Sequence, residues 1–167
     1  FYQGKLYVPV SSLEPITAAS PGYDCCTFRG SVVEVDAESG ETGWRHYSVP
    51  NPPSFQRVSA SGTRILGPSG APVWTSPFID RQHGVLYHGS GENYSSPADD
   101  SSDAIFAVDL KTGQRKWHHQ GTHADAWNAA CTFPDKSNCP VENGPDFDLS
   151  ASPIVIDLDN GHRAVVA

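Results

Sequence analysis

The sequence predicts an all-β fold assembled from repeated strand units, on three observations. Glycine and proline number 15 and 14, together 29 of 167 residues, which suits strands joined by turns. Leu-, Lys- and Glu-rich runs of helical length are missing. One segment also recurs in register: Gly30-Ser-Val-Val-Glu-Val-Asp36-Ala-Glu-Ser-Gly40-Glu-Thr-Gly-Trp44 returns as Asp103-Ala-Ile-Phe-Ala-Val-Asp109-Leu-Lys-Thr-Gly113-Gln-Arg-Lys-Trp117. Asp to Asp (36 to 109) and Trp to Trp (44 to 117) are both 73 residues apart.

Taken in order, Gly4-Lys-Leu-Tyr-Val opens the first unit as a strand and Gly84-Val-Leu-Tyr-His is its counterpart in the second, 80 residues on (4 to 84). The runs before Asp36 and Asp109 mix β-branched and apolar residues, the following Glu-Ser-Gly or Lys-Thr-Gly is turn chemistry, and Trp begins the next strand. Ser76-Pro-Phe-Ile-Asp80 pairs with Ser152-Pro-Ile-Val-Ile-Asp157, so a further unit begins near residue 150. Units are expected at about 4–49 and 72–120, with the start of another at about 150–167. Within the last, Asp157-Leu-Asp159-Asn-Gly161 reads as a strand-joining turn, because its Gly comes one place too early for a calcium loop.

Such units fit a radial array of four-stranded sheets, a β-propeller, in which Trp44 and Trp117 wedge against neighbouring blades. About two blades cannot cover both faces of their own sheets, so the chain reads as a fragment needing further blades. Pro50 to Ala71 and Gly121 to Phe147 are expected as long irregular stretches, the places where function concentrates.

Charge narrows the partners. Lys and Arg total 11 against 19 Asp and Glu, a net charge of −8, so no basic surface follows a phosphate backbone and nucleic acid is not expected. No apolar run approaches the roughly 20 residues of a membrane span. Four cysteines in turn-rich segments suit an oxidising compartment, periplasmic or secreted. Cys131 and Cys139 are expected to staple a small loop. Adjacent Cys25 and Cys26 leave three options: a strained ring with each other, partners elsewhere, or two buried thiols.

Several motifs have plainer explanations. Gly89-Ser-Gly91 carries two of the three glycines of a dinucleotide fingerprint and no amphipathic helix follows. The seven His are scattered, with His118-His119 expected along a strand surface. Glu14, Glu92-Asn93 and Asp125 each follow a strand, and side-chain oxygens leaving strand ends on one face would suit Ca²⁺.

These residues resemble a known family. The repeat Ala/Val-x-Asp-x-x-Thr/Ser-Gly-x-x-x-Trp resembles the docking motif of quinoprotein dehydrogenases, eight-bladed propellers carrying pyrroloquinoline quinone (PQQ). Cys25-Cys-Thr-Phe-Arg-Gly30, Gly67-Pro-Ser-Gly-Ala-Pro-Val-Trp74, Gly89-Ser-Gly-Glu-Asn-Tyr94, Asp125-Ala-Trp-Asn128 and Gly144-Pro-Asp-Phe-Asp148 look most like the polyvinyl-alcohol dehydrogenase branch. The resemblance implies hydride transfer from an alcohol to the quinone and electron exit to a c-type cytochrome or another acceptor. It implies Trp74 as the ring stacked on the quinone, with Cys25, Cys26 and Arg29 as further cofactor contacts. Glu14 resembles the glutamate ligand of Ca²⁺, Glu92 or Asn93 falls at the amide ligand, and Asp125 resembles both a ligand and the catalytic Asp. The vicinal cysteines depart from the better-known enzymes by preceding a strand of the blade that carries Glu14. The rival is a non-enzymatic propeller scaffold, which shares the Trp repeat but has no use for a stacking ring above hard ligands; a lectin-like or glycosidic propeller would leave the loop runs unexplained.

Overall fold

The computed structural model describes residues 1–20, 22–159 and 161–167. Strands β1 (Lys5–Val10), β2 (Ser31–Asp36) and β3 (Thr42–Tyr47) form an antiparallel sheet in that order. After them come the hairpin β4 (Ser54–Val58) and β5 (Arg64–Gly67) and the short β6 (Ser69–Gly70). Next in the chain are β7 (Phe78–Asp80), β8 (Val85–Gly89), β9 (Asn93–Ser95), β10 (Ala104–Asp109) and β11 (Arg115–Gln120). A four-stranded sheet takes the order β11-β10-β8-β7, while β9 pairs with β6. The last pair is β12 (Ile154–Asp157) with β13 (Arg163–Val166). Of the turn joining them, Asn160 lies outside the described residues.

The recurring Asp and Gly make one turn twice. Asp36 Oδ1 accepts the N–H groups of Glu38 and Ser39 and the Ser39 hydroxyl at 3.1, 2.9 and 3.0 Å. Asp109 Oδ1 repeats this with Lys111, Thr112 and the Thr112 hydroxyl at 3.1, 3.0 and 3.0 Å. Gly40 and Gly113 close the turns at φ +76° and +70°, a left-handed conformation that side chains disfavour. Trp44 then crosses to the next sheet: its Nε1 donates to Leu110 O at 3.2 Å, and its ring lies so close over Gly113 that a Cβ there would fall 2.6 Å from it. The expected wedge is therefore a plug of one sheet set into the turn of the next. Trp117 makes its ring contact with Tyr87 of its own sheet and stays 43% exposed.

Period-2 alternation in β8 and β10 feeds two cores. Val32, Val73, Leu86, Phe106, Val108 and Leu110 fill the space between the three- and four-stranded sheets. Val85, Tyr87 and Ala107 pack on the opposite face with Val155 and Val165 of the β12–β13 pair. Strand β8 is buried along its whole length because both faces of its sheet are covered. The histidines are less scattered than their spacing suggests. His88 and His118 stack on Phe106 at 4.8 and 5.4 Å, and His46 meets both His88 and Phe106 edge-on, at 5.4 and 5.7 Å.

One expected irregular stretch is ordered. Residues 50–71 hold the β4–β5 hairpin, whose turn is tied by Ser59 N–H to Thr63 O (2.8 Å) and Thr63 N–H to Ser59 Oγ (3.1 Å). Serine and threonine hydroxyls supply the turn chemistry that the proline-rich start of the stretch obscures. Residues 121–147 stay irregular apart from a 3₁₀ turn at Ala129–Thr132, capped by Asn128 and stapled by a Cys131–Cys139 disulfide.

Candidate active site

Loops leaving β1, β8 and β11 converge on one end of the sheets. Glu14 starts the short helix α1 (Glu14–Thr17), with Pro15 pre-setting the first turn. Its Oε1 accepts Tyr23 Oη, Thr27 N–H and Thr27 Oγ at 2.8, 2.8 and 3.1 Å, and its Oε2 accepts Phe28 N–H at 2.7 Å. Glu14 thus folds the 23–28 loop around itself. Burial, reinforced by this carboxylate, pushes the Tyr23 phenol up to about 12.

That loop contains a Cys25–Cys26 disulfide, so of the three options the sequence leaves, the ring is formed. Both cysteines are fully buried with Ala18 and Tyr94, and the ring has no face open to a flat ligand in this chain. Arg29 points along the β3–β4 connection, donating to Val49 O (2.9 Å) and Pro50 O (2.5 Å) and lying 3.7 Å over the Tyr47 ring.

Trp74 is 41% exposed and sits beside Gly91: a methyl there would fall 2.8 Å from Trp74 Nε1 and 2.1 Å from Asp148 Oδ1. The missing side chain lets the indole and the Asp148 carboxylate close against this backbone. Glu92 is buried, and its carboxyl meets that of Asp148. Burial first, then Asp148, pushes Glu92 up to about 10. The Asn93 amide is used by the backbone, donating to Ser69 O (3.0 Å) and accepting Asp99 N–H (2.8 Å).

Asp125 is fully buried, its O accepting Asn93 N–H at 3.1 Å. A strap over residues 143–148 lies across its carboxylate: Oδ1 accepts Asp146 N–H (3.2 Å) and Oδ2 accepts Phe147 N–H (2.9 Å). Gly144 passes so near that a Cβ would fall 2.3 Å from Asp125 Oδ1.

Of the expected set, Glu92 and Asp125 bring carboxyls into one acidic cluster, and Trp74 stands at its edge. Glu14 lies with the Tyr23–Phe28 loop, its Oε1 taken by the Tyr23 and Thr27 hydroxyls and the Thr27 amide and its Oε2 by one amide only, while the Asn93 amide is engaged by Ser69 O and Asp99 N–H. Asp103, Asp146 and Asp148 join the cluster without having been singled out. Asp103 was legible in principle: it stands where the first unit of the repeat has Gly30, so the alignment breaks there with a charge. Its carboxyl meets Asp125, and burial first, then Asp125, pushes it up to about 8. Neither Asp103 oxygen, nor Glu92 Oε2, receives an N–H or O–H. Two buried carboxyls in contact need a proton or a cation between them. Hard oxygen donors of this kind suit Ca²⁺, although among the described residues no three acidic, His or Cys side chains form a metal-binding group. No helix among the described residues is long and apolar enough to cross a membrane.

Residues 15–134 match the model of the PQQ family, glucose/ethanol/alcohol dehydrogenase, beta-propeller domain. The chain is 36% identical over 166 residues to a polyvinylalcohol dehydrogenase of Pseudomonas sp., covering 99% of this chain and 26% of that protein. It is 34% identical to the polyvinylalcohol dehydrogenase of Sphingopyxis sp. (strain 113P3), covering 96% and 25%. It therefore spans about a quarter of the length of the curated relatives it matches. Among solved structures, the quinohemoprotein alcohol dehydrogenase of Comamonas testosteroni superposes with a TM-score of 0.61 at 24% identity, covering 98% of this chain and 23% of that one. The sheets described above are thus part of a propeller that does not close within these residues, and the chain belongs to the glucose/ethanol/alcohol dehydrogenase β-propeller family of PQQ proteins.

Proposed function

We propose that this chain forms part of the active site of a PQQ- and Ca²⁺-dependent alcohol dehydrogenase acting on a secondary alcohol or a polyvinyl-alcohol-like polymer. The observation that carries it is Asp125, buried and aimed by two strap amides, in an acidic cluster beside the half-open indole of Trp74. Residues 4–49, 72–120 and 150–167 serve as successive blades that bring these loops to one end. When bound, PQQ supplies the hydride acceptor and Ca²⁺ its polarisation.

The chain's own groups do the rest. Trp74 offers a flat apolar face for a planar ring, and Gly91 lets its indole and Asp148 pack against the backbone there. Asp125 takes the alcohol proton at a carboxylate oxygen, general-base work that contributes about 10²–10⁴-fold. The strap amides hold its orientation and the strap itself keeps water off, so substrate reaches Asp125 by displacing residues 143–148. Glu92 and Asp125 supply the cation's oxygen ligands, while Glu14 and Asn93 shape the loops around it. Cys25 and Cys26 pack with Ala18 and Tyr94 beside the Glu14 loop, and Arg29 ties the chain before β2 to the β3–β4 connection, the three serving as structural support for the cofactor. Two disulfides fit a periplasmic or secreted site, and electrons pass on to a c-type cytochrome or another acceptor.

The test is dye-linked alcohol oxidation by the natural protein that carries this chain, with PQQ and Ca²⁺ added, beside its Asp125→Asn variant. Activity that needs both additions and falls about 10²-fold or more in the variant is expected. A folded protein that neither binds PQQ nor oxidises primary, secondary or polymeric alcohols would be a propeller scaffold instead.

A further inference from the structure

We propose that Asp103 is a cation ligand, facing Asp125 across the Gly91–Asn93 segment so that the two carboxylates share one hard divalent ion of the Ca²⁺ type. The inference deepens the reading given under Proposed function and rests on it. Asp103 is 1% exposed, and neither of its carboxylate oxygens has a hydrogen-bond partner. Its backbone is pinned on both sides: its N–H donates to Gly91 O at 3.1 Å and its O accepts Gly121 N–H at 2.8 Å. It stands at φ +46°, in the left-handed region that Asp adopts more readily than most non-glycine residues. On the other side of the same segment, Asn93 N–H donates to Asp125 O at 3.1 Å. The two acids are therefore fixed to one backbone stretch, with their side chains meeting.

A buried carboxylate with no donor on either oxygen is costly unless a proton shared with its neighbour or a cation completes it, and a bound cation would serve both acids at once. Asp125 is different in one useful respect. Each of its oxygens accepts one strap amide, which leaves each a second lone pair. Glu92 Oε2 is also buried and without a partner, but its carboxyl meets Asp148 and is not counted with this pair. Carboxylates without thiol or imidazole favour Ca²⁺ or Mg²⁺ over zinc or copper.

The experiment uses the natural protein carrying this chain, stripped with EGTA and titrated with Ca²⁺ alone, no quinone present. Calorimetry and thermal unfolding are read for wild type and Asp103→Asn. Wild type is expected to bind Ca²⁺ and to gain Tm, and Asp103→Asn to bind about tenfold more weakly or worse, with most of that gain lost. In EGTA the variant should unfold at the same temperature as wild type or above it, because a buried repulsion has gone. A structural role alone would lower it. Unchanged Ca²⁺ affinity in Asp103→Asn, or a lower Tm in EGTA, overturns the assignment. If the variant does not fold, the wild-type comparison decides: no Ca²⁺-dependent rise in Tm overturns it, and a rise abolished in Asp103→Ser supports it. Parallel dye-linked assays separate the two levels. Ca²⁺-dependent alcohol oxidation with unchanged affinity in Asp103→Asn removes only Asp103, whereas absence of both Ca²⁺ binding and activity removes the reading beneath it as well.

Discussion

Gly144 and the His46–His88 pair show how single residues set both aim and pH response. A Cβ on Gly144 would fall 2.3 Å from Asp125 Oδ1 and 2.8 Å from its Cα, and the second atom is backbone that cannot swing away. Gly144→Ala should therefore shift the strap and turn Asp125 out of line, lowering kcat with KM nearly unchanged in steady-state assays. His46 and His88 respond to acid. Burial pushes His46 down to about 4 and His88 to about 3, and in each a nearby cation or imidazole adds to it. Both are neutral when folded, whereas the unfolded imidazoles bind protons below about 6.5. The unfolded state thus binds more protons, and stability falls as pH drops from about 6.5 towards 4. A His46→Asn/His88→Asn variant should lose this part of the slope. The difference in Tm between variant and wild type across that range isolates it, since the buried carboxyls contribute equally to both.

At the scale of elements, two devices hold the loops where the chemistry needs them. The Cys131–Cys139 bridge closes a loop of eight residues' separation inside the irregular 121–147 stretch. Cys131→Ser/Cys139→Ser should cost about 2.5 kcal/mol by the loop-entropy argument. Denaturant unfolding under matched conditions measures it. Asn138 carries the bridge's effect outward, since its amide donates to Ala18 O and Tyr23 O at 3.0 and 2.9 Å, beside the loop that wraps Glu14. The second device is Trp44. Trp44→Ala removes a half-buried ring from the Gly113 turn and from Tyr7, 5.7 Å away, and should destabilise by about 2–3 kcal/mol. Trp44→Phe should recover part of that, as it keeps the ring but loses the bond to Leu110 O.

Over the whole molecule, the sheets are joined by more than apolar packing. Arg163 of β13 donates to Asp80 Oδ2 at 2.6 Å and to Asp157 at 2.9 Å, and His83 adds 2.9 Å to the same Asp80 oxygen. Burial would raise the Asp80 carboxyl, but the Arg163 and His83 donors overcome it and hold it below its ordinary value. Arg163→Ala should loosen the β12–β13 pair, seen as faster amide exchange across 154–166 with exchange in β2 unchanged. The all-β fold and its repeat were legible because turn chemistry is local: Asp, Ser or Thr, and Gly within five residues dictate the turn by themselves. The site was only half legible. Asp125 and Trp74 lie in runs with a family likeness, but Glu14 takes up the Tyr23 hydroxyl and the Thr27 and Phe28 amides, nine to fourteen residues on, and that is visible only once the loop is folded. Asp103 shows in sequence only as a charge where the repeat has Gly30, and its meeting with Asp125 emerges only when strand register buries it. The three imidazoles around Phe106 come together for the same reason. The plug-and-turn join between sheets has one more consequence. Each of the two full units carries both halves of the fitting, an Asp-to-Gly turn and a Trp in the same hairpin, so a copy of the unit brings with it the turn that the Trp of the unit before it can enter. A gene that duplicates such a unit inherits a working joint, and the ring can change its membership without inventing a new interface.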